Sequence, residues 1–113
     1  MKSDAVNTLN IAEIPYESGV LQFRYGRYMS PDKSRWIRHG LFQAYHPSGK
    51  LASEGSYEEG VEHGLWRVYH ETGSLSAEGY YDRGVEVGVW RFWRADGTEE
   101  RAEDHGQKKD VSL

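Results

Sequence analysis

Glycine recurs in this chain with a fixed spacing of 24 residues. Two sets of glycines keep the spacing, namely Gly40, Gly64 and Gly88, and Gly49, Gly73 and Gly97. Aromatic residues follow the same period in the series Phe42, Trp66 and Trp90 and in the series Tyr45, Tyr69 and Trp93. A fixed period in this range indicates a repeat protein, in which each unit buries its apolar face against its neighbours. The chain is therefore predicted to fold as an array of similar units that begin at residues 40, 64 and 88.

Each unit is predicted to form a β-hairpin. In the second unit, residues 65–70 are rich in aromatic and β-branched residues, residues 71–74 have turn composition, and residues 75–81 form the returning strand. A second glycine-containing connection, residues 83–88, leads to the next unit. Because the repeats show no apolar period of about 3.6 residues, helices are not expected in them.

The distribution of charge predicts the register of the hairpins. Pairing Arg67 with Glu78 places most apolar side chains of the second unit on one face and the opposite charges on the other. A shift by one residue would pair Trp66 with Glu78 and mix the two faces. The predicted pairs are Trp66 with Gly79, Val68 with Ala77 and His70 with Leu75, and in the first unit Phe42 with Gly55 and Gln43 with Glu54. Each large ring is expected to lie over the glycine that it pairs with and to shield its backbone.

The repeat pattern weakens toward both ends of the chain. Residues 16–39 are predicted to be a degenerate leading half-repeat with a longer loop, and residues 1–15 an N-terminal arm or cap whose secondary structure is left open. The repeats are predicted to span residues 16–103, although the last unit loses several repeat residues. Residues 104–113 are polar and are predicted to be a disordered tail.

Two copies of the unit share one long motif. The pattern Tyr-x-x-x-Gly-x-Leu-x-x-Glu-Gly-x-Tyr-x-x-Gly-x-x-x-Gly-Leu-Trp runs from Tyr45 to Trp66, and it recurs from Tyr69 to Trp90 with Val89 in place of the leucine. This motif resembles the bacterial variant of the MORN repeat (membrane occupation and recognition nexus). The resemblance implies an all-β fold, an elongated single-layer antiparallel sheet of stacked β-hairpins. It also implies binding rather than catalysis, since some members of that variant family are labelled antitoxins of toxin–antitoxin pairs, and other MORN proteins are linked to phospholipid binding or scaffolding.

Composition restricts the partners that the chain can have. The formal net charge is −4 with acidic and basic residues interleaved, so a basic surface for nucleic acid or for an anionic membrane is not expected. The chain has no cysteine, which excludes disulfides, thiolate nucleophiles and cysteine metal sites. The N-terminus lacks the apolar core of a signal peptide, and no segment approaches the roughly 20 apolar residues of a membrane span. A cytoplasmic location is therefore expected.

The histidines follow the repeat and invite a test for metal binding. His39 and His63, like His46 and His70, lie one repeat and therefore two strands apart, which is about 9.6 Å at the usual strand spacing. Two imidazoles that share a zinc ion need their nitrogens about 2 Å from it. We therefore predict that these histidines flank turns and hold no metal.

The paired acids of the repeat invite a test for catalysis. Glu54 and Glu78 are one repeat apart, a separation close to that of the carboxylates of inverting glycosidases. Repetition alone explains this pair, and a single-layer sheet offers no pocket to exclude water or to raise a carboxyl pKa. No serine lies in a glycine-flanked elbow, and no glycine-rich phosphate loop precedes a helix. The chain is predicted to be no enzyme and to have no cofactor.

Aromatic residues on both faces of the sheet point to recognition of another molecule. In the predicted register one face carries Phe42, Trp66, Trp90 and Phe92, and the other carries a stripe of Leu41, Tyr45, Leu65, Tyr69, Val89 and Trp93, joined by Tyr80. A single sheet cannot bury both faces, so one is expected to form a shallow core and the other to stay open for a protein partner. The predicted contact residues are Tyr45, Tyr69, Trp93, Arg67, Arg91 and Tyr80.

These observations lead to one principal hypothesis about function and two alternatives. The principal hypothesis is a protein-binding module, an antitoxin or immunity protein that neutralises a cognate toxin. The first alternative is an adaptor or scaffold that forms homo-oligomers through its edge strands. Association with membrane lipid ranks third because of the acidic balance of charge.

Overall fold

The computed structural model describes residues 9–107, and all of their regular structure is β-strand. The strands are β1 (Asn10–Pro15), β2 (Leu21–Met29), β3 (Trp36–Tyr45), β4 (Leu51–Glu58), β5 (Val61–Tyr69), β6 (Leu75–Asp82), β7 (Val85–Trp93) and β8 (Glu99–Asp104). They form one open sheet in which every strand pairs antiparallel with the next along the chain. The prediction of an all-β, single-layer sheet of stacked hairpins is therefore confirmed.

The predicted register is present in both central hairpins, with one difference beside the turn. Arg67 pairs with Glu78 and Trp66 with Gly79, and the equivalent pairs occur one repeat earlier. The predicted pairing of His70 with Leu75 is wrong, because Leu75 faces Tyr69 across a shift in register. The backbone N–H of His70 instead donates to the carbonyl oxygen of Ser74 at 2.8 Å, which makes His70 part of the turn.

The periodic glycines perform two different tasks. Gly49, Gly73 and Gly97 lie in hairpin turns with φ of 95°, 99° and 93°. Gly40, Gly64 and Gly88 lie inside strands, with φ of 90°, 84° and 72°. Each of these strand glycines sits where the register shifts to accommodate extra residues, a bulge that favours the left-handed region and therefore glycine.

The connection predicted for residues 83–88 is too long. Arg83 and Gly84, with φ of 52° and 87°, form the whole turn, and β7 begins at Val85. Positive φ at both central residues is the geometry of the tightest hairpin turns, which matches the twist of the flanking strands. The connection therefore shortens to two residues, and Gly88 becomes a bulge inside β7.

A chain of aromatic rings forms the core on one face of the sheet. Phe42, Trp66 and Trp90 are its buried members, with 8%, 8% and 5% of their surface exposed. Tyr57 and Tyr81 stand between them in edge-to-face contacts, with centroid separations from 5.1 to 6.0 Å. This geometry is the favoured one for aromatic pairs. The face that carries Phe42, Trp66 and Trp90 is therefore the core face.

The core rings cover glycines, but not the glycines that were predicted. Trp66 lies over Gly55 of the preceding strand, and Trp90 lies over Gly79, so close that an added Cβ would overlap each indole. The expectation that Trp66 covers its own partner Gly79 is therefore wrong. The bulge carries the ring back across the sheet, where the indole Nε1 of Trp66 donates to the carbonyl oxygen of Ser56 at 3.1 Å.

Both ends of the array depart from the regular hairpins. Residues 10–15 form β1, and its Ala12, 6% exposed, faces Tyr25 of β2. At the other end β8 continues through Asp104, and the N–H of His105 donates to Gly88 O at 2.9 Å, so the predicted disordered tail does not begin at residue 104. Residues 1–8 and 108–113, the rest of the predicted arm and tail, lie outside the described residues.

The loop between β2 and β3 is closed by one carboxylate. Asp32 Oδ1 accepts hydrogen bonds from the Ser30 hydroxyl at 2.7 Å and from the Ser34 hydroxyl and N–H at 2.7 and 3.0 Å. These hydrogen bonds lower the pKa of Asp32 from 3.8 to about 2, and the bond from Ser30 has the largest effect. Because the folded pKa is depressed, the loop keeps this stabilisation above the unfolded pKa and loses it as pH falls through about 2.

We expect the Asp32 carboxyl carbon to titrate in NMR with a midpoint near 2, and the Ser34 amide signal to move with it. An Asp32→Asn variant keeps the shape of the side chain but removes the titration, so its Ser34 amide should not move in that range. A midpoint at the ordinary aspartate value of about 3.9 would contradict the hydrogen-bond network described for this loop.

Candidate protein-binding surface

A line of residues, six of the eight charged, crosses the face opposite the aromatic core. One residue from each strand contributes, and each is paired directly with the next, so we call the line the charge ladder. Its members are Glu13, Arg24, Gln43, Glu54, Arg67, Glu78, Arg91 and Ala102. From Glu54 to Arg91 the charge alternates in sign at every strand, so each charged group has an opposite charge beside it.

The charge ladder is ordered by direct ion pairs. Arg67 Nε lies 2.7 Å from Glu78 Oε2, and Arg24 Nε lies 3.4 Å from Glu13 Oε2. The hydrogen bond from Arg67 to Glu78 raises the pKa of the Arg67 guanidinium above its ordinary value. These side chains are one-third to three-fifths exposed, so the pairs contribute little to folding and remain available to a partner.

An aromatic row borders the charge ladder on the side of the hairpin turns. It consists of Tyr45, Tyr69 and Trp93, all half-buried. The Tyr69 hydroxyl donates to Glu54 Oε2 at 3.2 Å. Burial, followed by the negative charge of Glu54, raises the pKa of the Tyr69 hydroxyl. The aromatic row is therefore fixed in position by the ladder that it borders.

An exposed apolar row borders the other side of the ladder. It consists of Ile11, Leu41, Leu65, Tyr80 and Val89. Ile11, Leu41 and Tyr80 are each more than half exposed. Gly26 and Ser56 lie between members of the row, and Leu65 pairs directly with Tyr80. Leu41 and Leu65 border a shallow depression of about 150 Å³ that also reaches Glu54 and Arg67 of the ladder. The apolar row and the charge ladder thus form one surface.

All of the predicted contact residues lie on this surface. Tyr45, Tyr69 and Trp93 form its aromatic row, Arg67 and Arg91 belong to its charge ladder, and Tyr80 belongs to its exposed apolar row. Sequence reasoning missed Ile11, Glu13 and Arg24, which extend the surface to the first two strands. The opposite charges of Glu13 and Arg24 could have indicated that they extend the charge ladder. These residues precede the regular repeats, so the repeat pattern did not align them with it.

The repeated histidines connect successive hairpins. His46 Nε2 lies 3.0 Å from the carbonyl oxygen of Tyr69, and His70 Nε2 lies 2.7 Å from that of Trp93. Each ring therefore reaches from one hairpin turn to the next hairpin. Among residues 9–107, no three histidine, aspartate or glutamate side chains are arranged to hold a metal ion.

The two glutamates of the repeat are occupied by structural partners. Glu54 accepts from the Tyr69 hydroxyl, and Glu78 pairs with Arg67. Both side chains lie in the charge ladder, where Glu54 also lines the shallow depression beside Leu41. Their contacts hold the charge ladder and the aromatic row in place.

Residues 38–59 and 62–83 match the MORN repeat variant family. The two matched segments cover most of β3–β4 and of β5–β6, the two central hairpins of the sheet. No curated protein and no solved structure shows a significant match to the chain. The residues that the structure describes include no helix long and apolar enough to cross a membrane.

Proposed function

We propose that the chain is a non-enzymatic module that binds another protein through the face carrying the charge ladder. The observation that carries the proposal is an exposed apolar row lying directly beside charges of alternating sign. Within residues 9–107, no second layer packs on this face. Exposed apolar residues bordered by charged ones are typical of surfaces that bind other proteins.

The composition of the surface suits a specific interface. Tyrosine, tryptophan and arginine are the residues that most often dominate binding energy, and all three are present here. The apolar row would supply the area that loses water on binding. The alternating charges would select a partner with complementary charges and exclude partners without them.

For the partner we propose a cognate toxin, which would make the chain an antitoxin or immunity protein. The support for this more specific proposal is the match to the MORN repeat variant family, of which some members are labelled antitoxins. Neutralisation requires only that the sheet cover the toxin surface, so it needs no catalytic group on this chain.

The proposal is tested by co-expression with the product of the neighbouring gene, followed by co-purification and calorimetry. A Leu41→Glu plus Val89→Glu variant places two charges on the exposed apolar row. It is expected to bind about 30-fold more weakly or worse, because each new carboxylate would have to lose its water against the partner at a cost of about 2 kcal/mol or more.

A matched control adds the same charge outside the surface. A Ser48→Glu plus Thr72→Glu variant changes two exposed turn residues, and it should bind as the wild type does. Equal binding by the Leu41→Glu plus Val89→Glu variant would show that this face is not the interface. Concentration-dependent oligomers of the wild type alone, without a partner, would instead support self-association through the edge strands.

A further inference from the structure

The hairpins contain a recurring site for a histidine ring. His39 of β3 accepts a hydrogen bond at Nδ1 from the backbone N–H of Glu59, at 3.1 Å. One repeat later, His63 of β5 accepts at Nδ1 from the N–H of Arg83, at 3.2 Å. Each ring fills the space beside the end of the following strand and contacts the tight turn there.

The surroundings of His63 define the chemistry of this site. The ring lies between two carboxylates, with Nε2 3.8 Å from Glu58 Oε1 and Nδ1 3.9 Å from Asp82 Oδ1. The N–H of Arg83 faces Nδ1 as a donor. The site therefore provides a hydrogen-bond donor and a carboxylate beside Nδ1 and a second carboxylate beside Nε2.

The third copy of the site has lost its ring. Val87 occupies the position of His39 and His63, and Gln107 occupies that of Glu59 and Arg83. Among residues 9–107, an open groove of about 570 Å³ is present at this place. It is lined by Tyr80, Tyr81, Asp82, Val87, Gly88, Asp104, Gly106 and Gln107.

We propose that this groove receives a planar basic side chain of the partner protein, with histidine as the best fit. The inference rests on the proposed function, because Tyr80 belongs both to the groove and to the exposed apolar row. The partner would thus restore the ring that the first two repeats carry themselves. The groove would be the anchor point at one end of the binding surface.

The lining residues match such a ring. Asp82 stands where Glu58 stands beside His63. Asp104 adds a second carboxylate to the rim, where its Oδ1 accepts a hydrogen bond from the Gly106 N–H at 2.8 Å. Gly88 and Gly106 have no side chains, so the backbone can approach a flat ring closely. Tyr80 supplies an aromatic wall. A neutral imidazole could accept from a backbone N–H, and a protonated one could pair with the carboxylates.

The test uses N-acetyl-histidine methylamide as the probe and N-acetyl-leucine methylamide as the control ligand, followed by NMR of the backbone amides. We expect the histidine probe to shift the signals of Gly88, Gly106 and Gln107 with millimolar affinity. The leucine ligand should leave them unchanged.

A Val87→His variant fills the groove with the ring that the scaffold already accommodates twice. It is expected to weaken binding of the probe by at least about tenfold, because a resident side chain blocks entry. Val61→His is the matched control: Val61 is exposed on β5 and does not line the groove, so this variant should bind the probe as the wild type does.

The outcomes separate this inference from the proposed function. Absence of probe-induced shifts, or equal binding of the probe by the Val87→His variant, would overturn the groove assignment. If Val87→His binds the full partner as tightly as the wild type does, the groove assignment fails while protein binding stands. If no partner binds the chain but the probe shifts the three amides, the groove is a site and the proposed function fails.

Discussion

Replacement of Trp66 by alanine is expected to lower the free energy of unfolding by about 3–5 kcal/mol, the usual cost of removing a buried aromatic side chain. Trp66 is 8% exposed and contacts Phe42, Tyr57 and Tyr81, with centroid separations of 5.6, 5.4 and 6.0 Å. In a single-layer sheet no second layer can move in to fill the space. Urea unfolding followed by circular dichroism measures the change.

The position of Trp66 in the array adds to this cost. In a repeat protein each unit is stabilised mainly by its nearest neighbours, so loss of a central ring weakens the contacts on both sides. Because domains of this size are stable by only about 5–15 kcal/mol, the variant should lose a large fraction of its stability.

Trp36→Ala serves as the control for Trp66→Ala. Trp36 is 44% exposed, and its principal partner is the Arg27 guanidinium, 3.9 Å above the ring. Its loss should cost about 1 kcal/mol or less, as for an exposed cation–π contact. Similar costs for the two variants would contradict the description of the aromatic chain as the core.

The hairpins and their register could be predicted because charge and size repeat together. Only one alignment pairs Arg67 with Glu78 and also separates the rings from the charges, so the sequence alone selects it. The same logic placed the predicted contact residues on one face. Strand pairing in the repeats thus depends on the charge and size of directly opposed residues, and both can be read from the sequence.

The bulges could not be predicted in this way. Gly64 in a strand and Gly73 in a turn have similar φ values, 84° and 99°, and their sequence contexts do not distinguish a bulge from a turn. The ring of Trp66 reaches Gly55 only because the bulge redirects it across the sheet, which is a property of the folded strand. The secondary structure of residues 10–15 was also not predicted. In β1 the small residue Ala12 pairs with Tyr25, whereas in the repeats a large ring pairs with a glycine, so β1 does not show the repeat pattern.

Replacement of Gly79 by alanine is expected to destabilise the fold by about 3 kcal/mol, the upper end of the usual cost of overpacking. The added Cβ would overlap the indole of Trp90, which is 5% exposed and anchored by its Nε1 hydrogen bond to Tyr80 O at 3.1 Å. The φ of Gly79 is not positive, so alanine itself causes no backbone strain there. The loss of stability in the Gly79→Ala variant therefore measures the contact between the Trp90 ring and the Gly79 backbone. Urea unfolding gives its size.

Gly73→Ala separates this contact from the general cost of losing a glycine. Gly73 has φ of 99° in a hairpin turn, and no atom lies within 4 Å of an added Cβ. Its replacement should cost only about 1–2 kcal/mol of backbone strain.

A double-mutant cycle then assigns the Gly79 effect to its partner. In a Trp90→Ala background the overlap is absent, so Gly79→Ala should cost about 1–3 kcal/mol less than it does in the wild type. Gly73→Ala should cost the same in both backgrounds, because it is remote from the ring. If the Gly79→Ala cost is also unchanged, the indole does not rest on this glycine, and the ring-over-glycine contact is not what holds neighbouring hairpins together.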